Sequence, residues 1–374
     1  MRALITRSLA RPVARRPAAR HFRVAVVKVD RLGDFVLALS AIREVLNHFG
    51  EDQGLLIVSP QVEPLAAAEF PRTARLALPP AVGHRRLLTE GRKARAALSR
   101  VVCAEAVSFR HQRWDWDELM LLWLGAGRCR VLDDATRRDE FAVRNTFLFR
   151  GADRAGFAPP KAASAAWCRE LWRHRQLLDA TTGRTVAAED VLPRFTRVGA
   201  CDPEGGIAVL PFGSAVIRDF PEMLLHEALR AARVLTSEPI TLHGDAGQRK
   251  RLLQLAARLR EGGITGVNCA PPSGVVEFAE AIAGARLVLT VETSGAHLAA
   301  AFDRPAVILI GGGHYGQFGP WWRSARQIWL TVPMDCFGCG WRCIHPEPYC
   351  LTHITPKQVL AAIHQVQTTG KAPI

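Results

Sequence analysis

The 374-residue chain has no run of 18 uncharged apolar residues, so no segment reads as a membrane-spanning helix. No G-x-G-x-x-G fingerprint follows its first strand-like segment, and G-x-x-x-x-G-K-[ST] is absent. Both absences disfavour ordinary dinucleotide dehydrogenases and P-loop NTPases. The first 23 residues hold no acid and lack the apolar core of a secretory signal, which argues against export. Of the nine cysteines, five are scattered in apolar or helical contexts and four lie close together, unlike a secreted disulfide framework. What remains has the balance of a globular protein, 48% hydrophobic and 22% charged, at a length that suggests two domains. A formal net charge of +14 suggests anionic partners: phosphates, nucleic acid or an acidic bilayer surface. Nucleic acid is the weakest of these, because the aromatics do not interleave with the basic residues as stacking platforms would.

The segment from Phe22 to Gly50, FRVAVVKVDRLGDFVLALSAIREVLNHFG, is the most informative. Val24, Val26 and Val27 are β-branched, as a buried strand prefers. After a polar turn, Phe35, Leu39, Ile42 and Leu46 recur at three- and four-residue spacing and give one apolar helix face. A strand breaking into a helix opens an α/β unit, and ligands bind such sheets at the carboxyl ends of the strands. Asp30, Arg31, Gly33 and Asp34 occupy that place.

Strand-like and helix-like segments then alternate. GLLIVSP, from Gly54, is a strand, and WDELMLLWLGAG, from Trp116, is a short helix stopped by glycine. The middle, from about Phe141 to Val198, reads as mostly helical. A second series follows: GIAVLPF, PITLHG, GVNCAP, RLVLTVE and AVILIGG are strands separated by helical patterns. Such alternation gives parallel sheets. Two of the strand-to-helix turns offer anion sites. In VETSGAHLAAAF, Thr293, Ser294 and Gly295 open a helix whose first N–H groups suit a phosphate. In VLPFGSAVIRDFP, a Gly-Ser turn precedes Arg218, and Pro221 opens the next helix.

Taken in order, these motifs resemble glycosyltransferase family 9, the bacterial heptosyltransferase-like enzymes of lipopolysaccharide core assembly. KVDRLGDFVLALSAIREV looks like the family's opening motif and SFRHQRWDWDELMLLWLGAGRCRVL like its acceptor-domain loop. LPFGSAVIRDFP stands where the family has Lys-Arg-Trp-Pro, and ETSGAHLAAAFDRPAV where it has Asp-Thr-Gly-x-x-His-Leu-Ala-Ala-Ala. The resemblance implies an α/β fold of GT-B architecture, two Rossmann-like doubly wound domains facing a cleft. Residues 22–183 would be the acceptor-binding domain, 184–204 a linker, and 205–374 the nucleotide-sugar domain with a Cys-rich segment at 336–350. Residues 1–21 read as a basic, disordered arm.

The same resemblance implies inverting transfer that requires no cofactor. A heptose or related sugar would move from a nucleotide-sugar, ADP-linked by expectation, to a lipopolysaccharide core or similar glycolipid or saccharide acceptor. Asp34 matches the proposed general base; the competing reading is that it merely caps its helix. Arg218 would stabilise the leaving diphosphate, with Ser214, Thr293, Ser294, Gly295 and His297 around it and Glu292 accepting from a ribose hydroxyl. A packing role for His297 is the alternative. Arg31, Gly33, Arg113, Asp115 and Asp117 would bind the acceptor; for the last three the plainer reading is a solvated charged loop, and for Asp117 a helix-start position favoured by the macrodipole. GGGHYGQFGPWW, from Gly311, should line the nucleotide pocket, where Tyr315 or Phe318 stacks on a base or only packs the loop.

CFGCGWRCIHPEPYC places Cys336, Cys339, Cys343 and Cys350 in a C-x2-C-x3-C-x6-C array. That spacing fits a structural zinc or iron–sulfur site, two disulfides, or four free thiols. The seven Arg of the first 23 residues suit either an organellar transit peptide or an arm for an anionic membrane. The family resemblance favours the arm, hence a cytoplasmic enzyme peripheral to the inner membrane. Two rivals stand: a nucleotide-sugar epimerase on the same fold, active without acceptor, and a non-catalytic protein whose Cys cluster binds metal.

Overall fold

The computed structural model describes residues 2–11, 13–14, 18–80, 82–83, 85–111, 115–133, 153–156, 167–199, 205–235 and 237–369. The chain divides into two compact units, one of residues 1–161 and 170–191, the other of 162–169 and 192–374. The change of unit at 191/192 falls inside the stretch expected as a linker, whereas the assignment of 162–169 to the second unit was not expected. Arg169 is tied to that unit by its N–H, which donates to the Gly316 carbonyl at 2.8 Å.

Each unit holds one six-stranded parallel sheet. The first comprises β1 (Arg20–Lys28), β2 (Gly54–Val58), β3 (Ala74–Ala77), β4 (Val101–Ser108), β5 (Arg128–Asp133) and β6 (Asp153–Gly156), in the order β3-β2-β1-β4-β5-β6. The second comprises β7 (Gly205–Leu210), β8 (Ile240–Leu242), β9 (Val267–Cys269), β10 (Ala285–Val291), β11 (Ala306–Leu309) and β12 (Gln327–Leu330), in the order β12-β11-β10-β7-β8-β9. Counted from its own first strand, the second sheet repeats the first, which is the doubly wound order 3-2-1-4-5-6. The expected pair of Rossmann-like domains is therefore present. Each sheet has a switch point, between β1 and β4 and between β7 and β10, where neighbouring crossovers run in opposite directions.

These strands form where the chain is apolar without alternation, because helices cover both faces of a parallel sheet. Val24 to Val27 of β1 are wholly buried, as are Leu287 to Leu289 of β10. The helix Leu32–Phe49 returns over the first sheet and buries Phe35, Leu39, Ile42 and Leu46. The helix Pro356–Thr368 shows how the ends are set. Pro stands in its first turn, and Thr355 and Gln358 form a capping box before the buried Val359, Ile363 and Val366.

The expected disordered arm needs correction over its first residues. Arg2–Leu9 is a helix. Leu9 is buried in the first unit's core, and the Trp123 indole N–H donates to the Leu9 carbonyl at 3.1 Å. Ile5 and Leu9, four apart, give this short helix an apolar edge to bury, a pattern masked by the density of Arg around it. The helical reading of Phe141 to Val198 holds for Arg169–Thr182 and Ala188–Val191, while Asp153–Gly156 is a strand. Residues 134–152 and 157–166 lie outside the described residues. Among the described residues, no helix is long and apolar enough to cross a membrane.

Candidate active site

The turn after β1 lies at the first sheet's switch point, and its chemistry begins with a buried cation. Lys28, the last residue of β1, is wholly buried; its Nζ donates to the Phe109 carbonyl at 2.8 Å and pairs with Asp30 at 2.8 Å. Arg110 at the end of β4 also pairs with Asp30, and with Asp117 at 2.7 Å. Beside this cluster, Glu170 is held by His111 Nδ1 at 2.5 Å, Arg173 Nε at 3.3 Å and His174 Nε2 at 3.3 Å. Burial pushes the Glu170 carboxyl up, but the pairing with His111, His174 and Arg173 prevails and keeps it well below the usual range.

Asp34 sits in the first turn of the helix Leu32–Phe49, among these charges. It is not the cap. Arg31 occupies the N-cap position, no side chain caps the helix, and no described residue hydrogen-bonds the Asp34 carboxylate. Burial raises its carboxyl to about 6; Lys28 and His111 pull it down, whereas Asp30 and Glu170 push it up. A carboxylate with free acceptor positions that titrates near 6 has the properties of a general base.

The residues expected to bind acceptor divide. Arg31 is exposed beside Asp34, and Gly33 lies in the same turn. Asp117 has no exposed surface and pairs with Arg110, against the solvated-loop reading, and it stands in the first turn of the helix Asp115–Leu124, as the helix-start alternative had it. Asp115 accepts from Thr6 Oγ1 at 2.9 Å and from the Trp116 N–H at 3.0 Å, which ties it to the N-terminal helix and to its own. Arg113 lies outside the described residues.

The second unit brings its expected residues together at the β7/β10 switch point. After β7, Arg218 Nη1 donates to Ser214 Oγ at 2.8 Å, and Nη2 donates to the Glu292 carbonyl at 2.8 Å and pairs with its carboxylate at 3.3 Å. Glu292, just past β10, is 4% exposed and bonded to Arg218, with His314 Nδ1 at 3.7 Å. Thr293 is the N-cap of the helix Ser294–Ala301 and has no side-chain cap bond. The Ala296 and His297 N–H groups already donate to the Thr293 carbonyl, so the open donors of this helix start are those of Ser294 and Gly295. Gly295 has a packing reason as well, since a Cβ there would lie 2.4 Å from Leu210.

His297 belongs to the core. It is 5% exposed, its Nδ1 accepts from Trp321 Nε1 at 3.0 Å, and the two rings stack at 7°. Burial, with Arg218 adding to it, lowers its pKa to about 3, so the ring is neutral and the packing reading applies. Tyr315 leans on Phe337 at 4.8 Å and Phe318 meets His314 edge-on at 5.4 Å.

Cys336, Cys339, Cys343 and Cys350 are thiols that line one small pocket against Gly312 and Gly313. The sequence leaves a metal site, two disulfides and free thiols open for them. Among the described residues, no three His, Cys, Asp or Glu side chains are grouped so as to hold a metal ion. Cys350 Sγ instead accepts from the Gly312 N–H at 3.3 Å, and Cys343 donates toward the Glu347 carbonyl at 3.6 Å.

Motif reading did not find Lys28, Arg110, His111 or Glu170. A lysine inside an otherwise apolar strand and a Glu-x-x-Arg-His spacing on one helix are the local signals they leave.

Residues 232–342 match the family described as glycosyltransferase family 9 (heptosyltransferase). Lipopolysaccharide heptosyltransferase 1 of Pseudomonas aeruginosa is 30% identical over 131 residues, which are 31% of this chain and 35% of that protein. The matched stretch thus spans about a third of the curated relative's length. Among solved structures, E. coli heptosyltransferase WaaC with ADP-2-deoxy-2-fluoro heptose superposes with a TM-score of 0.64 at 19% identity. That likeness covers 92% of this chain and 99% of WaaC. The dodecameric iron-containing heptosyltransferase TibC of enterotoxigenic E. coli, in complex with ADP-D-beta-D-heptose, gives 0.51 at 10% identity, over 93% of this chain and 77% of that one. The GT-B fold and the resemblance to family 9 read from the motifs are borne out by these findings.

Proposed function

We propose that this chain, similar to glycosyltransferase family 9 over residues 232–342 and folded like solved heptosyltransferases, transfers a heptose or related sugar from an ADP-sugar to a saccharide acceptor. The observation that carries this reading is Asp34: a carboxylate at the first switch point that no described residue hydrogen-bonds, raised to about 6 by burial. Asp34 takes the proton of an acceptor hydroxyl while that oxygen attacks the anomeric carbon. The bond from that carbon to the β-phosphate oxygen breaks, ADP leaves with the electron pair, and the configuration inverts. Charge grows on the diphosphate in the transition state, and Arg218 with the Ser294 and Gly295 N–H groups supplies fixed positive potential for it. Arg31 and Gly33 form the acceptor side of this reading, and Ser214 and Glu292 hold Arg218 on the donor side.

The net charge of +14 and the Arg-rich start support an acceptor presented at an anionic membrane and a peripheral place at its cytoplasmic face. The C-x2-C-x3-C-x6-C spacing supports a structural metal, although gathering the thiols requires Cys350 to give up the Gly312 N–H. Elemental analysis of the purified chain tests this: about one zinc or iron per chain supports it, and none contradicts it. The transfer itself is tested with ADP-heptose and a heptose-accepting lipopolysaccharide core fragment. Product with inverted configuration and one ADP released per transfer supports the reading. Sugar released without acceptor favours the epimerase.

A further inference from the structure

The Cys-rich segment contributes one side chain directly to the surroundings of Arg218. Trp341 lies between Cys339 and Cys343 with φ +67°, a left-handed conformation that non-glycine residues rarely adopt. Its backbone is pinned beside the glycine loop after β11: Gly338 N–H donates to the Gly312 carbonyl at 2.8 Å, and Gly340 N–H to the Gly313 carbonyl at 3.2 Å. The indole fills the space that side chains on that loop would need. A Cβ on Gly311 would lie 2.3 Å from the ring, and one on Gly313 2.5 Å. His314 meets the ring edge-on at 5.7 Å. The Arg218 guanidinium lies over the indole, with Cζ 5.1 Å from its centroid.

This contact completes the restraint on Arg218. Nη1 and Nη2 are fixed by Ser214 and Glu292, and the indole face supports the guanidinium plane. Two buried N–H donors remain without an acceptor among the described residues, Arg218 Nε and Trp341 Nε1, one on each member of the stacked pair. A pair of unsatisfied donors, one of them on a cation, suits an anion with several oxygens.

We propose that Trp341 is a positioning residue for Arg218 in the binding of a nucleoside diphosphate, which makes the Cys-rich segment part of the donor site. This rests on the reading of Arg218 as the cation of the donor's diphosphate. A bulky residue at φ +67° is strained, and only a surrounding structure that over-determines it sustains that strain. The glycine loop and the arginine are those surroundings.

The test is a titration of ADP, AMP and adenosine into the full-length protein, for wild type, Trp341→Leu, Trp341→Phe and Arg218→Met. Leucine keeps apolar bulk on the glycine loop and removes the aromatic face; phenylalanine keeps the face and removes the N–H. The expected result is that Trp341→Leu weakens ADP about tenfold, leaves adenosine unchanged, and is rescued only in part by phenylalanine, which restores the aromatic face but not the N–H. In the Arg218→Met background, Trp341→Leu should cost almost nothing more, because its partner is already gone. Equal loss for adenosine and ADP, or full additivity of the two substitutions, overturns the inference. So does a folded Trp341→Leu protein with wild-type ADP affinity. Wild-type protein that binds no nucleoside diphosphate overturns the donor reading, and this inference with it.

Discussion

Lys28 Nζ lies 2.8 Å from Asp30 Oδ2, and this buried pair is the electrostatic base on which Asp34 stands. Lys28 is the main cation acting on Asp34, and Asp30 partly cancels it. The balance leaves Asp34 ionised at neutral pH but close enough to titration to accept a proton in the transition state.

The pH dependence follows from that value. Activity should fall as pH drops through about 6, when the Asp34 carboxylate is protonated and can no longer act as base. A pH profile of kcat/KM on wild-type enzyme checks this. A flat profile down to pH 5 contradicts it.

The same shift has a stability consequence of definite sign. The folded-state pKa of about 6 lies above the ordinary 3.8, so between those values the native state binds more protons than the unfolded one. Stability contributed by this group is therefore lost as pH rises through that window. Asp34→Asn removes the cost, and at pH 7 should stabilise the fold by up to about 3 kcal/mol, while losing about 10²–10⁴-fold in rate. Urea melts at pH 7 and pH 4, where the gain should shrink, measure it.

Glu170 behaves in the opposite way. It is held well below its ordinary value, so its stabilisation is present at neutral pH and disappears as pH falls through the acid range. Glu170→Gln removes the buried carboxylate that His111, Arg173 and His174 surround and should cost about 3–5 kcal/mol at neutral pH. The deficit should narrow on acidification. An equal deficit at pH 7 and pH 3 would count against the ion cluster.

His297 should matter to the core rather than to the donor. His297→Leu removes the acceptor of the buried Trp321 N–H, with an expected loss of about 1–3 kcal/mol. Thermal melting should show this, and the affinity for ADP should hardly change. Loss of ADP affinity at unchanged stability would return His297 to the donor site.

How far the chain was legible depended on where its information lies. Strands β1, β7, β10 and β11 hold continuous apolar runs, as strands covered on both faces must, and could be placed by inspection, while β8 and β9 were placed by their alternation with helical patterns. β3 and β12 are edge strands, ARLA and QIWL, with mostly half-buried residues and no such run, so nothing marked them. The turns holding Asp34, Arg218 and Thr293 stood out because strand-to-helix breaks carry small and polar residues by necessity. Asp117 did not stand out correctly. In sequence it reads as an acceptor ligand, a loop carboxylate or a helix-start residue, and only the fold brings Arg110 from the end of β4 onto it. Likewise His111 and Glu170 pair across 59 positions, which no local spacing encodes. The contact of Trp341 with Arg218 spans 123 positions, so no local spacing encodes it either.

The most direct test is single-turnover transfer from ADP-heptose to a heptose acceptor by wild type and Asp34→Asn, with ADP affinity measured on the same samples. The account predicts inverted product and stoichiometric ADP from wild type, and at least about a hundredfold slower transfer by Asp34→Asn at unchanged ADP affinity. A folded Asp34→Asn protein that transfers at the wild-type rate would contradict it.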